Sequence, residues 1–122
     1  MQAIGSLDEL AKELRRFADE RDWQRFHGPK NLAAALSVEA AELLEIFQWL
    51  EPNEAADIMR GAQATAVRHE LADVFNYLVR LADVLGVDLL VAAREKIELN
   101  ALKYPAERAR GRADKYHAYE DD

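Results

Sequence analysis

Between Leu71 and Leu85 the apolar residues fall at Leu71, Val74, Phe75, Leu78, Leu81, Ala82 and Leu85. That spacing repeats with the period of an α-helix; a strand, whose side chains alternate every second residue, cannot satisfy it. No stretch of the chain carries the two-residue alternation, and the few prolines and glycines fall as helix punctuation. Ser6-Leu7-Asp8-Glu9 fits a capping box opening a first helix to about Arg21, with Leu7, Leu10, Leu14 and Phe17 on one face. Gly28-Pro29 breaks the chain before a second helix over roughly Asn31 to Leu50, and Asn53 is placed to cap a short piece reaching Met59. The periodic helix covers about Ala62 to Leu85 and stops at Gly86; Asp88 caps a last one, about Leu89 to Lys103, which Pro105 ends. The expected fold class is all-α: an antiparallel bundle of four to five helices in one domain, residues 1–105, with a charged, loosely ordered tail, 106–122.

Alanines and leucines occupy nearly every side of the second helix from Leu32 to Leu44. A one-sided helix needs an apolar stripe only slightly over ~100° wide, so this one is expected to bury a second side against another subunit. A central position in the bundle would also bury it; the favoured reading is a homo-oligomer, dimer or larger. Three acids interrupt that helix, Glu39, Glu42 and Glu45, which argues against a membrane span. The start of the chain lacks the basic and apolar regions of a signal peptide, and with no cysteine to oxidise the expected setting is cytoplasmic. A net charge of −7 leaves no basic face for nucleic acid and repels a free nucleotide, so nucleotide chemistry would have to pass through a metal cation.

Two acidic pairs fit that requirement: Glu39-Ala-Ala-Glu42 and Glu70-Leu-Ala-Asp73. Residues three apart on a helix differ by about 60° of rotation, so each pair projects from one face, and two packed helices can bring four carboxylates together. From Asn31 through Met59 there are six acids and not one lysine or arginine, so Glu39 and Glu42 have no basic partner on their own helix. Crowded carboxylates of this kind resist ionisation unless a cation arrives, and their hard oxygens suit Mg²⁺, with Mn²⁺ as the alternative. Trp49, seven residues after Glu42, and Tyr77, four after Asp73, lie on the acids' own faces, where rings can stack a base. Lys96 and Asn100 share a face of the last helix and can meet a phosphate or sugar oxygen. A non-enzymatic alternative is a helical oligomer whose acidic seam binds a basic partner.

The chain also resembles a known group. Glu39-x-x-Glu42 followed by Glu70-x-x-Asp73 is similar to the metal signature of the MazG-like all-α nucleoside-triphosphate pyrophosphohydrolases, more narrowly their dCTP pyrophosphatase-like branch. The similarity runs through Glu20-Arg21-Asp22-Trp23-x-x-Phe26-His27-x-Pro29-x-Asn31-Leu32, Phe47-Gln48-Trp49, Tyr77-Leu78-Val79, Val87-Asp88-Leu89, Lys96-x-x-x-Asn100 and Tyr104-Pro105-Ala106. It implies a tetramer or dimer with active sites between subunits and Mg²⁺-dependent cleavage of a (d)NTP, dCTP or a modified dCTP above all, to the monophosphate and pyrophosphate. By position it implies Glu39, Glu42, Glu70 and Asp73 as metal ligands. Trp23, His27, Trp49 and Tyr77 would form the base pocket, and Lys96, Asn100 and Tyr104 the phosphate or sugar contacts. Glu42 or Glu45 would be left to orient the attacking water. Asn76 and Arg80 border the pocket face, so base preference is open to local variation.

Overall fold

The computed structural model of the protein describes residues 3–121 and is all-helical: among the described residues there are six α-helices, three 3-10 segments and no strand. Two compact units divide the chain, Met1–Val87 and Asp88–Asp122. The first holds α1 (Leu7–Glu20), α2 (Pro29–Phe47), α3 (Pro52–Ala56) and α4 (Ala64–Leu85), with 3-10 turns at Gln24–Phe26 and Ile58–Arg60. The second holds α5 (Leu89–Lys103), α6 (Ala106–Ala109) and the 3-10 segment Tyr116–Asp121.

Local chemistry explains the boundaries. The Ser6 hydroxyl accepts from the Glu9 amide at 3.1 Å, and the Glu9 carboxylate accepts in return from the Gly5 amide at 3.0 Å. One of the four orphan donors at the start of α1, the Glu9 amide, is thereby satisfied, and the returning bond ties down Gly5 just ahead of the N-cap. α1 ends in a Schellman turn, with Trp23 N–H donating to Ala18 C=O at 2.9 Å and Asp22 N–H to Asp19 C=O at 3.1 Å. The turn needs a left-handed residue, and Asp22 takes it with φ 56°. Gly86 does the same for α4 with φ 71°, and the Asp88 carboxylate caps α5 by accepting from the Val91 amide at 3.1 Å. Asn53, expected as a cap, lies inside α3. That helix starts at Pro52, whose fixed φ suits the first helical position.

In the first unit α4 is the central element, packed most extensively on α2 and next on α1. Ala18, Leu32, Val67, Val79 and Ala82 are buried, Leu32 and Ala18 almost completely. The stripe that identified α4 as a helix is buried within the chain only in part: Ala82 is covered, while Leu71, Phe75, Leu78 and Leu85 remain 38–55% exposed. Periodicity reports that a face is apolar, not what covers it. α2 behaves alike, with Val38 and Leu44 exposed.

In the second unit the segment after α5 makes ring contacts. Tyr104 packs edge-on against Tyr116 and Tyr119 at centroid distances of 6.0 and 5.9 Å, and Tyr119 is buried. The Arg108 guanidinium donates to the Tyr119 carbonyl, and that of Arg112 stands 4.5 Å from the Tyr119 ring centroid. These arginines and tyrosines are ring and cation–π partners that hold the segment against the end of α5. No described helix is long and apolar enough to cross a membrane.

Candidate functional site

The packing of α4 on α2 decides where the acids go. Carboxylate oxygens of Glu39, Glu70 and Asp73 all lie within 4.8 Å of one another. Glu39 Oε2 and Glu70 Oε2 are buried and accept no hydrogen bond. A buried carboxylate oxygen without a donor is costly, and two facing each other cost more. Burial first, then the neighbouring carboxylates of Glu42, Glu70 and Asp73, push the Glu39 carboxyl up to about 7. No arginine or lysine forms an ion pair with any of the four among the described residues. The orphaned oxygens and the all-oxygen donor set fit a divalent cation, with Glu39, Glu70 and Asp73 as its nearest holders. Glu42, half-buried, stands beside Glu39 but outside the three-acid cluster, and Glu45 is exposed.

Asp73 also lines a cleft of about 640 Å³, within the size range of small-molecule sites. α4 supplies one wall with Asp73, Asn76, Tyr77 and Arg80; α1 supplies the other with Leu10, Leu14 and Phe17; Trp23 and His27 come from the connection after α1. The Asp22 turn delivers Trp23, whose ring meets Phe17 at 5.8 Å and His27 at 6.3 Å between centroids. Three of the four residues expected in the base pocket, Trp23, His27 and Tyr77, therefore share one cleft with Asp73 of the acid cluster. The fourth, Trp49, follows α2, is 86% exposed and does not line it.

Arg80, expected at the border of the pocket face, lines the cleft and is itself buried. Only 7% exposed, it donates from Nε to His27 Nδ1 at 3.1 Å and from Nη1 to Asp83 at 3.3 Å. Arg15 of α1 reaches the same Asp83 carboxylate with bonds of 2.7 and 3.0 Å. The sequence does carry a signal: Arg80-x-x-Asp83 is a helical i, i+3 ion pair set inside an apolar run. Burial, and then the adjacent Arg80 charge, lower the His27 pKa, so this imidazole is neutral at neutral pH.

In the second unit Lys96 and Asn100 lie exposed on α5, a turn apart, while the Tyr104 ring is taken up by Tyr116 and Tyr119.

Fold and site together define a class: a helical protein in which two packed helices gather carboxylates able to hold a cation beside an aromatic-walled cleft. The chain belongs to the MazG-like family, whose pattern matches residues 34–118. It is 40% identical over 112 residues to human (Homo sapiens) dCTP pyrophosphatase 1 and 41% over 114 to the protein of the same name from Rattus norvegicus; each match covers 91% of this chain. The chain spans 66% of the length of these curated relatives. Among solved structures, a pyrophosphatase from Archaeoglobus fulgidus superimposes with a TM-score of 0.78 at 40% identity, covering 86% of this chain and 97% of that one.

Proposed function

We propose that this protein is a Mg²⁺-dependent nucleoside-triphosphate pyrophosphohydrolase that cleaves dCTP, or a base-modified dCTP, to the monophosphate and pyrophosphate. The observation that carries this reading is the trio Glu39, Glu70 and Asp73, with two buried oxygens lacking any donor, opening onto a cleft walled by Trp23 and Tyr77. The names and titles of the similar proteins, dCTP pyrophosphatase 1 and pyrophosphatase, support the same chemistry.

In this reading Glu39, Glu42, Glu70 and Asp73 hold the cation. Bound there, a divalent ion would offset charge developing on the pyrophosphate leaving group and acidify a coordinated water. Glu45, or Glu42 where the cation leaves it free, would orient the attacking water by accepting a hydrogen bond from it. Trp23 and Tyr77 clamp the base, and His27 fixes its edge. Lys96, Asn100 and Tyr104 bind phosphate or sugar, which for Tyr104 asks its hydroxyl, not its occupied ring, to make the contact. Trp49 is too exposed to serve its own cleft, and the uncovered apolar faces of α2 and α4 fit a homo-oligomer in which it completes a neighbour's site. A cytoplasmic setting is part of this reading, and a chain without cysteine is compatible with it.

Pyrophosphate release from dCTP, 5-substituted dCTPs, dUTP, dTTP, dATP and dGTP tests the proposal. Turnover of a cytosine nucleotide with Mg²⁺, abolished by EDTA and restored by Mg²⁺ or Mn²⁺, is the expected result. Silence across the panel, with metal-independent capture of a basic peptide, would replace the enzyme by a binding module.

A further inference from the structure

The cleft has two chemically different ends, and the acids account for one. Asp73, Tyr77 and Arg80 succeed one another at i, i+4 and i+7 on a single face of α4, which spreads them over ~10 Å of helix at 1.5 Å per residue. A nucleotide whose phosphates lie at Asp73 and whose base stacks near Tyr77 presents the edge of that base to Arg80.

Arg80 is unusually equipped to meet it. Asp83 is shared between Arg80 and Arg15, so one carboxylate answers two guanidinium groups. Nε is fixed on His27 and Nη1 on Asp83, while among the described residues no group accepts from Nη2. Because His27 accepts at Nδ1, the neutral ring carries its proton on Nε2 and can only donate there. Asn76, one turn before Arg80 on the same wall, offers an amide that can donate or accept. Arg80 and His27 thus bring two obligate donors, and Asn76 one adaptable group, to a cleft that Glu13, Arg16, Glu20 and Arg21 also line.

We propose, on the footing of the nucleotide reading above, that Arg80 and the His27 it orients are the base-specificity determinants. Arg80 Nη2 and His27 Nε2 donate to O2 and N3 of cytosine, and Asn76 accepts from the exocyclic amine. Only cytosine, among the common bases, carries two adjacent acceptors flanked by an amine on its pairing edge. Uracil and thymine place an N–H at N3, which faces a donor and leaves both unpaired. Asn76 can rotate its amide to suit either exocyclic group, so discrimination falls on N3. A site built around committed hydrogen bonds rejects the mismatched analogue far more strongly than an apolar pocket does.

Two measurements test this. Calorimetry with dCMP and dUMP in Mg²⁺ reads the base end without turnover; kcat/KM for dCTP and dUTP with Mg²⁺ reads it during turnover. The wild type should favour cytosine by about tenfold or more in both, the scale of one good bidentate contact. Arg80→Met, which keeps the buried stem, should bring the dCMP to dUMP affinity ratio to within about threefold of unity, raising KM for dCTP while leaving kcat within about threefold. Arg80→Lys keeps the charge without the planar fork and should also lose the ratio, and His27→Phe should lower it with Arg80 intact. Folding is checked by thermal melts, and Arg80→Lys carries the test if Arg80→Met fails to fold. A folded Arg80 variant with the wild-type ratio overturns the proposal. So does a wild type that binds the two monophosphates equally, or binds neither. Absence of pyrophosphate release alongside a persisting dCMP preference would instead remove the hydrolase reading and leave the base contacts standing.

Discussion

Glu39 is the residue at which the cost of the site is concentrated. One of its oxygens is buried without a donor, and three carboxylates crowd it. Glu39→Gln removes a charge from that repulsion, so the metal-free variant should melt at or above the wild-type temperature. It should also lose turnover by more than ~100-fold, since even the outer partners of metal ligands cost 10–100-fold when mutated. Near-wild-type pyrophosphate release in the folded variant would remove Glu39 from the ligand set. The same crowding gives a pH dependence of defined sign. The Glu39 carboxyl holds its proton up to about 7 in the folded protein but only to its ordinary 4.5 when unfolded. Between those values the native state binds the extra proton, so the stability of the metal-free protein should fall as pH rises through the window. Denaturant titrations from pH 5 to 8 in EDTA should show that decline. Millimolar Mg²⁺ should flatten it, because ligation replaces the proton, and apparent metal affinity should climb up to about pH 7. A flat EDTA profile would mean that the acids are better solvated than their geometry indicates.

Elements place these residues, and two junctions carry most of the placement. At the end of α1, Asp22 sits at φ 56° and aims Trp23 into the cleft. A β-branched residue pays about 1–2 kcal/mol for left-handed backbone, so Asp22→Val should destabilise by that amount and shift tryptophan fluorescence, whereas Asp22→Gly should be neutral or better. Between α1 and α4, the side chain of Arg80 is 9% exposed, that of Asp83 18% and that of Arg15 50%. Asp83→Ala leaves a buried guanidinium uncompensated and should cost about 3 kcal/mol, while Arg15→Ala removes an exposed partner and should cost about 1 kcal/mol or less, both read by urea denaturation. Comparable losses would mean that the cross-helix bond, not the buried charge, holds α1 to α4. Helix ends were legible in the sequence because caps are local: Ser6, Gly86, Asp88 and Pro105 announced themselves within a turn. The acids were legible because i, i+3 spacing fixes a shared face before any tertiary contact exists. The pairing of Arg80 with His27 was not, for it joins residues 53 positions apart whose meeting depends on how α4 is rotated. Nor could periodicity say which apolar side of α4 turns inward, since that helix has more than one.

At the scale of the molecule the surplus of apolar surface becomes a prediction. Leu44, Leu71 and Leu78 are 40–61% exposed on the first unit, and burying a leucine fully contributes ~1.5–3 kcal/mol. Isolated exposed leucines are ordinary, but several on two adjacent helices form a patch of the kind that marks an interface. Sedimentation at micromolar concentration should therefore give a homo-oligomer. Leu78→Asp, which would bury an unpaired charge in the contact, should shift it toward monomer without unfolding the chain. A wild type that stays monomeric would show that solvent covers this face. Trp49 then ties assembly to activity. At 86% exposure it gains nothing from its own cleft, so Trp49→Ala should spare the fold and raise KM by about 5- to 100-fold, the worth of one stacked base. If the ring serves a neighbouring subunit, unfolding and refolding a mixture of Trp49→Ala and Glu39→Gln chains should recover activity that neither has alone. Hybrid oligomers would contain some sites with an intact acid cluster from one chain and an intact tryptophan from the other. A mixture no more active than its parts would confine each site to a single chain, and Trp49 would have to reach the base by a movement of the segment after α2.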